Sequence, residues 1–535
     1  MRNAFFLLFP VFLFFSCSEK ENNEEYRIFK YNESVNILTL DPVYAKDLPH
    51  IWACNQLYNT LLAFDDDMNL VPSLAKRWYI SDDGKTYTFV LRDDVFFHND
   101  SCFGGKSRNV VADDVVFSFN RVVDRKLSSP GVWIFSAVHQ DENGYSFKAL
   151  NDSVFVVELE RPFPAFLGIV SMLYTAVVPR EAVEFYGDDF GRHPVGTGPF
   201  KFKYWKEGVR CVFRKNPDYF EFENGRRLPF IDAVSISFII DKQVAFMEFV
   251  KGKFDFMSGI DSRYKDELLT RDGRLRAKYN DRIYLVREPY LNTEYLSFNI
   301  NDMENMSKEQ YKALRQAVSY SVDRENMLRY LRNGIGTPGH SGIIPKGLPG
   351  YDSTGTIGYK YDLQKAFDLV RDYDLYGKKL KLYATKEYID LAKFVQSSVA
   401  MIGIDCEVEE MMPAVLRDRR AKGNLPFFRS SWVADYPDAE NYLSLFISEN
   451  FTPQGPNYTY YSNALYDSLY NVAVGCNNIK DRYFMYRQMD SVMMMDAPVV
   501  ILYYDEVLRF VNNRISGLGS NSTNLLNLKK VEIKE

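Results

Sequence analysis

The sequence predicts an α/β protein assembled from more than one compact unit. Three observations carry that prediction. The chain has 535 residues, more than a single hydrophobic core organises. Its early part, from residue 26 to about 180, is rich in strand-and-turn patterns. From about residue 231 onward strands alternate with helices, the order that builds a sheet covered by helices.

The elements follow in order. After Leu70 to Ala75 comes a strand, a turn and a strand: residues 78–80, then Asp83-Gly84, then residues 85–91. Tyr87, Phe89 and Leu91 alternate with Thr86, Thr88 and Val90, the period of two that a strand requires. Asp-Gly between such runs is a hairpin signal. Residues 112–121 (ADDVVFSFNR) read as a helix opened by an acidic first turn. A second hairpin turns at Asn151-Asp152, between SFKAL and SVFVVEL. AVSISFII (233–240) is a buried or half-buried strand, and residues 242–251 are helical. Ser307 and Gln310 match a capping box ahead of a helix over 311–331, with Leu314, Ala317, Val318 and Ser321 on its inward face. Asn333-Gly334 is a C-terminal stop. Asp362 opens a further helix to about residue 373. KLKLYAT (379–385) is a strand, 389–401 a helix ending near Gly403, and IDCEVEEM (404–411) a strand.

The N-terminus sets the expected compartment. Arg2 is a positive start, residues 4–15 (AFFLLFPVFLFF) form an apolar run, and Ser16-Cys17 follow. The run is too short for a permanent membrane helix and fits a cleaved signal. A small residue before Cys resembles the bacterial lipobox, with Cys17 as the lipidated first residue of the mature chain; Phe14 departs from the Leu that pattern prefers. Ordinary cleavage near Ser16 is the other reading. Residues 18–25 are charged and apolar-poor, a flexible tether. No other segment is long and apolar enough to cross a bilayer, so the membrane is expected to be touched through the lipid anchor alone.

Net charge is -6 with both signs mixed, which excludes the basic stripe of a nucleic-acid binder. Aromatics at 16% favour aromatic-lined clefts. Cys54, Cys102, Cys211, Cys406 and Cys476 are an odd set without a CxxC. Buried free thiols and one or two disulfides both remain open. Enzyme motifs are missing: there is no G-x-S-x-G, H-E-x-x-H or P-loop GK[ST], and His50, His98, His139, His193 and His340 are scattered singly. No catalytic residue, cofactor or metal site is therefore expected. Gly196-Thr197-Gly198-Pro199-Phe200 lacks a phosphate-cradling Lys and reads as a tight backbone turn.

Six blocks resemble the bacterial extracellular solute-binding proteins of family 5, the oligopeptide, dipeptide and nickel binders. They are Leu40-Asp41-Pro42 with QLYNTLLAFDDDMNLVPSLAKRWYISDDGKTYTFVLRDDVFFHND; ADDVVFSFNR, preceded by Val111 where the family usually has Thr; PVGTGPFKFKYW with RKNPDY; ALRQAVSYSVDRENM; SSWVADYPDAENYLSLF; and DAPVVILYYDE. The resemblance implies a two-lobe periplasmic-binding-protein fold (type II, with an extra domain) and a hinge of two strands. Domain I would take 26–50, 180–287 and 505–535, the inserted domain 51–179, and the second lobe 288–504, with crossings near Pro289 and Tyr504. It also implies a monomeric, lipid-anchored protein of the bacterial envelope (periplasm or cell surface), which hands a peptide or other small solute to an ABC importer permease. A peptide-sensing or scaffold lipoprotein on the same fold is the alternative.

The resemblance further assigns site residues. Asp435 would pair with a peptide's free α-amino group, because a desolvated ammonium needs an opposite charge and acceptors. Capping a turn is its alternative role, and Asp438 reads as a helix N-cap. The main chain at Trp432 and Val433 would pair with ligand backbone as an added strand. Tyr503 and Tyr504 match a segment returning through the cleft, with core packing as the alternative, and Tyr44 is a further aromatic near it.

Overall fold

The computed structural model describes residues 26–261, 263–303 and 305–534. The expected signal, the tether and Cys17 lie outside the described residues. The chain opens on β1 (Ile28–Asn32), followed by α1 (Leu48–Leu57), which Asp47 caps by accepting from the His50 N–H at 3.3 Å. Next come β2 (Ala75–Ile80), β3 (Thr86–Leu91), α2 (Ala112–Val123), β4 (Phe147–Asn151) and β5 (Val154–Glu158). These strands form one antiparallel sheet in the order β2-β3-β5-β4. Both predicted hairpins are present in it. Phe119 on α2 meets Phe135, Phe147 and Phe155 at ring centroids of 4.9, 5.4 and 5.2 Å. This aromatic wedge holds the helix to the sheet.

The main sheet takes β6 (Phe200–Lys206), β7 (Arg210–Lys215), β8 (Ala233–Ser237), β9 (Phe256–Ser258), β10 (Ile283–Phe298), β11 (Thr337–Pro338), β12 (Lys379–Ala384), β13 (Asp405–Glu410), β14 (Phe427–Val433) and β15 (Val499–Asn512). With β1 its order is β6-β7-β8-β1-β9-β15-β10-β14-β12-β13, and β11 sits off this path on β15. β10 and β15 are the long members and run antiparallel along each other. Their register holds from Ile283↔Asn512 to Pro289↔Glu506, slips, and resumes at Thr293↔Tyr504.

Hydrophobic burial divides along that pair. One core unites Phe29, Tyr31, Phe89, Phe213 and Phe256 with Val511, Leu526 and Val531, so both chain ends share it. Beyond the slip, alternate residues of the same strands face opposite ways. Leu296, Phe298, Val500 and Leu502 enter a core with Leu314, Leu382 and Val395. Tyr295, Val499 and Ile501 enter another with Ile343, Tyr442 and Met489.

Three expectations need correction. The helix over 311–331 is two, Lys308–Ser321 and Arg324–Arg332. Asp323 accepts from the Asn326 N–H at 3.0 Å and starts the second helix. The buried Arg324 guanidinium then takes up carbonyls freed at the break, Ser319 O and Val322 O, and reaches Ile501 O at 2.6 Å. The glycines at 196 and 198 do not form a turn that needs left-handed backbone. They let the chain pass against the end of α1: a Cβ at Gly198 would lie 2.4 Å from the Leu57 carbonyl carbon. The disulfide alternative has no support among the described residues, where all five cysteines are free. No described helix is long and apolar enough to cross a membrane.

Candidate functional site

A cavity of about 650 Å³ lies where the two sets of cores meet, within the usual range for small-ligand sites. Its walls include α1, the segment around 168–174, the loops of 517–530, Tyr290 at the register slip, and Val433 to Pro437 beyond β14. The walls touch at one side. Trp133 and Tyr436 have ring centroids 6.4 Å apart, and Phe163 packs against cores of both units.

Asp435 lines this cavity. Its loop is fixed from behind by buried Asn441. The Asn441 Oδ1 accepts from the Asp435 N–H at 3.1 Å and from the Trp432 indole N–H at 2.7 Å, and its Nδ2 stands 3.5 Å from the Asp435 carboxylate. No cation pairs with that carboxylate among the described residues. Burial pushes its pKa up, with Asn441 pulling weakly the other way. A carboxylate in this state is improved by an arriving ammonium. Asp438 is not the N-cap expected: the helix Glu440–Leu443 has Ala439 at that position, and Asp438, one residue earlier, accepts from the Glu440 N–H at 2.9 Å in an Asx turn.

Val433 also lines the cavity. β14 pairs with β10 from Phe427 to Val433, but with β12 only at Phe427 and Phe428. Its other edge is therefore open beyond Phe428. The Ala434 N–H is spent on Leu291 O at 2.9 Å. Because successive peptide groups alternate sides, the Val433 N–H and C=O face the open edge.

The remaining expected residues stand elsewhere. Trp432 is outside the lining set and is held by Asn441. Tyr503 and Tyr504 are each 1% exposed, on opposite faces of β15. Tyr503 accepts from Arg332 Nη1 at 3.0 Å and Tyr504 donates to Gly342 O at 2.6 Å, so both pack core. Tyr44 is half-buried and donates to Leu127 O at 3.0 Å, away from the cavity wall. Five tyrosines not anticipated do line it; Tyr58, Tyr219 and Tyr436 spend their hydroxyls on Leu40 O, Glu221 and Glu440, which leaves Tyr174 and Tyr290. Neither hydroxyl has a hydrogen-bond partner among the described residues, and burial raises each to about 12. Tyr290 adjoins Pro289, where the strand crossing was expected, so a signal for it existed. Tyr174 lies in MLYTAVV, which carries none.

Residues 69–453 match the profile of the bacterial extracellular solute-binding proteins, family 5. The chain belongs to that family. Among curated relatives, the dipeptide-binding protein of Escherichia coli K12 is 25% identical over 480 residues, 86% of each chain. The glutathione-binding protein GsiB of Salmonella typhi is 25% identical over 493 residues, 90% of each. Among solved structures, HbpA2 of Haemophilus parasuis has a TM-score of 0.81 at 21% identity, covering 95% of this chain and 100% of its own. The ABC transporter-associated periplasmic binding protein DppA of Helicobacter pylori, in complex with the peptide STSA, has a TM-score of 0.75 at 24% identity, covering 95% and 98%. The family 5 chain thus has the two-lobe periplasmic-binding-protein fold and a solute-binding role.

Proposed function

We propose that this family 5 protein captures oligopeptides by their free N-terminus and delivers them to an ABC importer permease. One observation carries the reading. An unpaired carboxylate, two uncommitted tyrosine hydroxyls and an open strand edge all face one cavity. The α-ammonium goes to Asp435, and the ligand backbone adds to the Val433 edge. The protein acts as a monomer of the cell envelope, lipid-anchored at Cys17, with no enzymatic step. The lobes are residues 26–50 with 180–287 and 505–535, carrying 51–179 as an insertion, and residues 288–504. They hinge near Pro289 and Tyr504, where the register slip supports bending.

Native mass spectrometry of the purified protein, with and without a casein digest, tests this. Bound peptides of mixed mass are expected, weakened but still measurable when the digest is N-acetylated and weakened likewise in Asp435→Ala, which leaves circular dichroism unchanged. Capture of acetylated and free peptides alike sinks the N-terminal reading. Exclusive capture of one non-peptide solute replaces peptides as the cargo.

A further inference from the structure

Among the residues that the 51–179 segment contributes to the cavity wall is Tyr174. Tyr174 sits in a short 3-10 turn, Leu173–Thr175. The buried Thr175 hydroxyl ties that turn to Met172 O at 2.8 Å and Val170 O at 3.1 Å. The ring is seated on the backbone at Gly131. A Cβ there would lie 2.6 Å from both Tyr174 Cγ and Cδ1, closer than packing allows. Gly131 has φ -88° and ψ 3°, open to any residue, so its lack of a side chain serves the ring and not the turn.

The short helix just ahead of the Leu173–Thr175 turn, Phe166–Ile169, is packed against the loop that carries Asp435. A Cβ on Gly168 would meet Tyr436 Cβ at 3.4 Å and Pro437 Cδ at 3.8 Å. Tyr436 is anchored below by its hydroxyl bond to the buried Glu440. Tyr174 and Asp435 therefore line the same cavity from different lobes. The charge on Asp435 is also among the causes that raise the Tyr174 phenol.

We infer that Tyr174, seated by Gly131, is a specificity residue that covers the ligand's N-terminal ammonium opposite Asp435. This rests on the peptide reading above and adds that the inserted segment takes part in recognition. An aromatic face over a desolvated ammonium attracts it and excludes water. Asp435 supplies the charge and Tyr174 the cover, so an amine is favoured over its neutral acetyl form by both.

The test uses a peptide captured from the casein digest, synthesised with a free and with an acetylated N-terminus, and titrated calorimetrically. Tyr174→Ala is expected to weaken the free-amine peptide about tenfold and leave the acetylated one unchanged. Tyr174→Phe keeps the preference, because the ring is retained. Gly131→Ala reproduces the loss by unseating the ring, with thermal melts to establish folding of each variant. Equal losses for both peptides in Tyr174→Ala, or no loss, overturn the inference, as does a Tyr174→Phe loss as large as that of Ala. Asp435→Asn runs alongside. If it erases the amine preference while Tyr174→Ala does not, only the Tyr174 assignment falls. If the wild type binds no peptide or shows no amine preference, the peptide reading falls and this assignment with it.

Discussion

The buried carboxylate of Asp435 gives the site a pH dependence. Burial raises the Asp435 pKa, and a bound ammonium lowers it again. Ligand thus binds the ionised form better, and affinity is constant above the raised pKa and falls as pH drops through it. Calorimetry from about pH 7 down to about pH 4 should show weakening for wild type and a flatter profile for Asp435→Asn. Asp490 in the second lobe illustrates the stability side. It accepts from the Ile343 N–H at 2.8 Å, faces no cation, and is raised to about 7 by burial. Between the unfolded carboxylate's ordinary value, about 3.9, and about 7, the folded state holds a proton the unfolded state has lost. Stability therefore falls as pH rises through that window. Urea unfolding at about pH 5 and about pH 8 should show that fall, and Asp490→Asn should remove most of it. Residue-level legibility was uneven for a physical reason. Asp435 sits in a run whose neighbours are distinctive. Tyr174 acquires its role only because Gly131, 43 positions earlier by numbering, leaves room for its ring.

Among the elements, caps and buried pairs decide stability. Val111 precedes α2 but its side chain has no oxygen to accept an amide, so only the return half of a capping box exists, the Val111 N–H donating to the Asp114 carboxylate at 2.8 Å. Val111→Thr supplies the missing half and should stabilise by about 1 kcal/mol in denaturant melts. β10 and β14 share a buried pair, Arg429 Nη2 to Glu294 Oε2 at 2.6 Å. Burial raises Glu294 even with Arg429 against it, so attraction does not fully offset desolvation. Arg429→Met leaves that carboxylate alone and should cost about 3 kcal/mol by the same melts. The hairpins, the α2 helix and the strands of the second lobe were legible because turn residues and periodicity are local. The break at Val322-Asp323 was not, since what stabilises it is Arg324 bonding to Ile501 across the sheet. The glycines near 196 likewise answer to α1, more than a hundred residues away.

For the whole molecule, ligand binding should draw the lobes together. Small-angle scattering should show a smaller radius of gyration with peptide, and peptide at a hundredfold its Kd should stabilise by about 2.7 kcal/mol. The two-lobe plan was legible through resemblance, while the cavity's extent depends on how segments far apart in sequence meet. The order of the main sheet carries one more consequence. β15, near the C-terminus, is the strand that joins β9 to β10, and the first lobe's core holds Phe29 beside Val511 and Val531. A growing polypeptide therefore emerges from the ribosome with its earliest strand unable to finish its sheet. Until β15 has been made, the first lobe keeps an unclosed edge at β9, so its main sheet closes only after the second lobe has been synthesised.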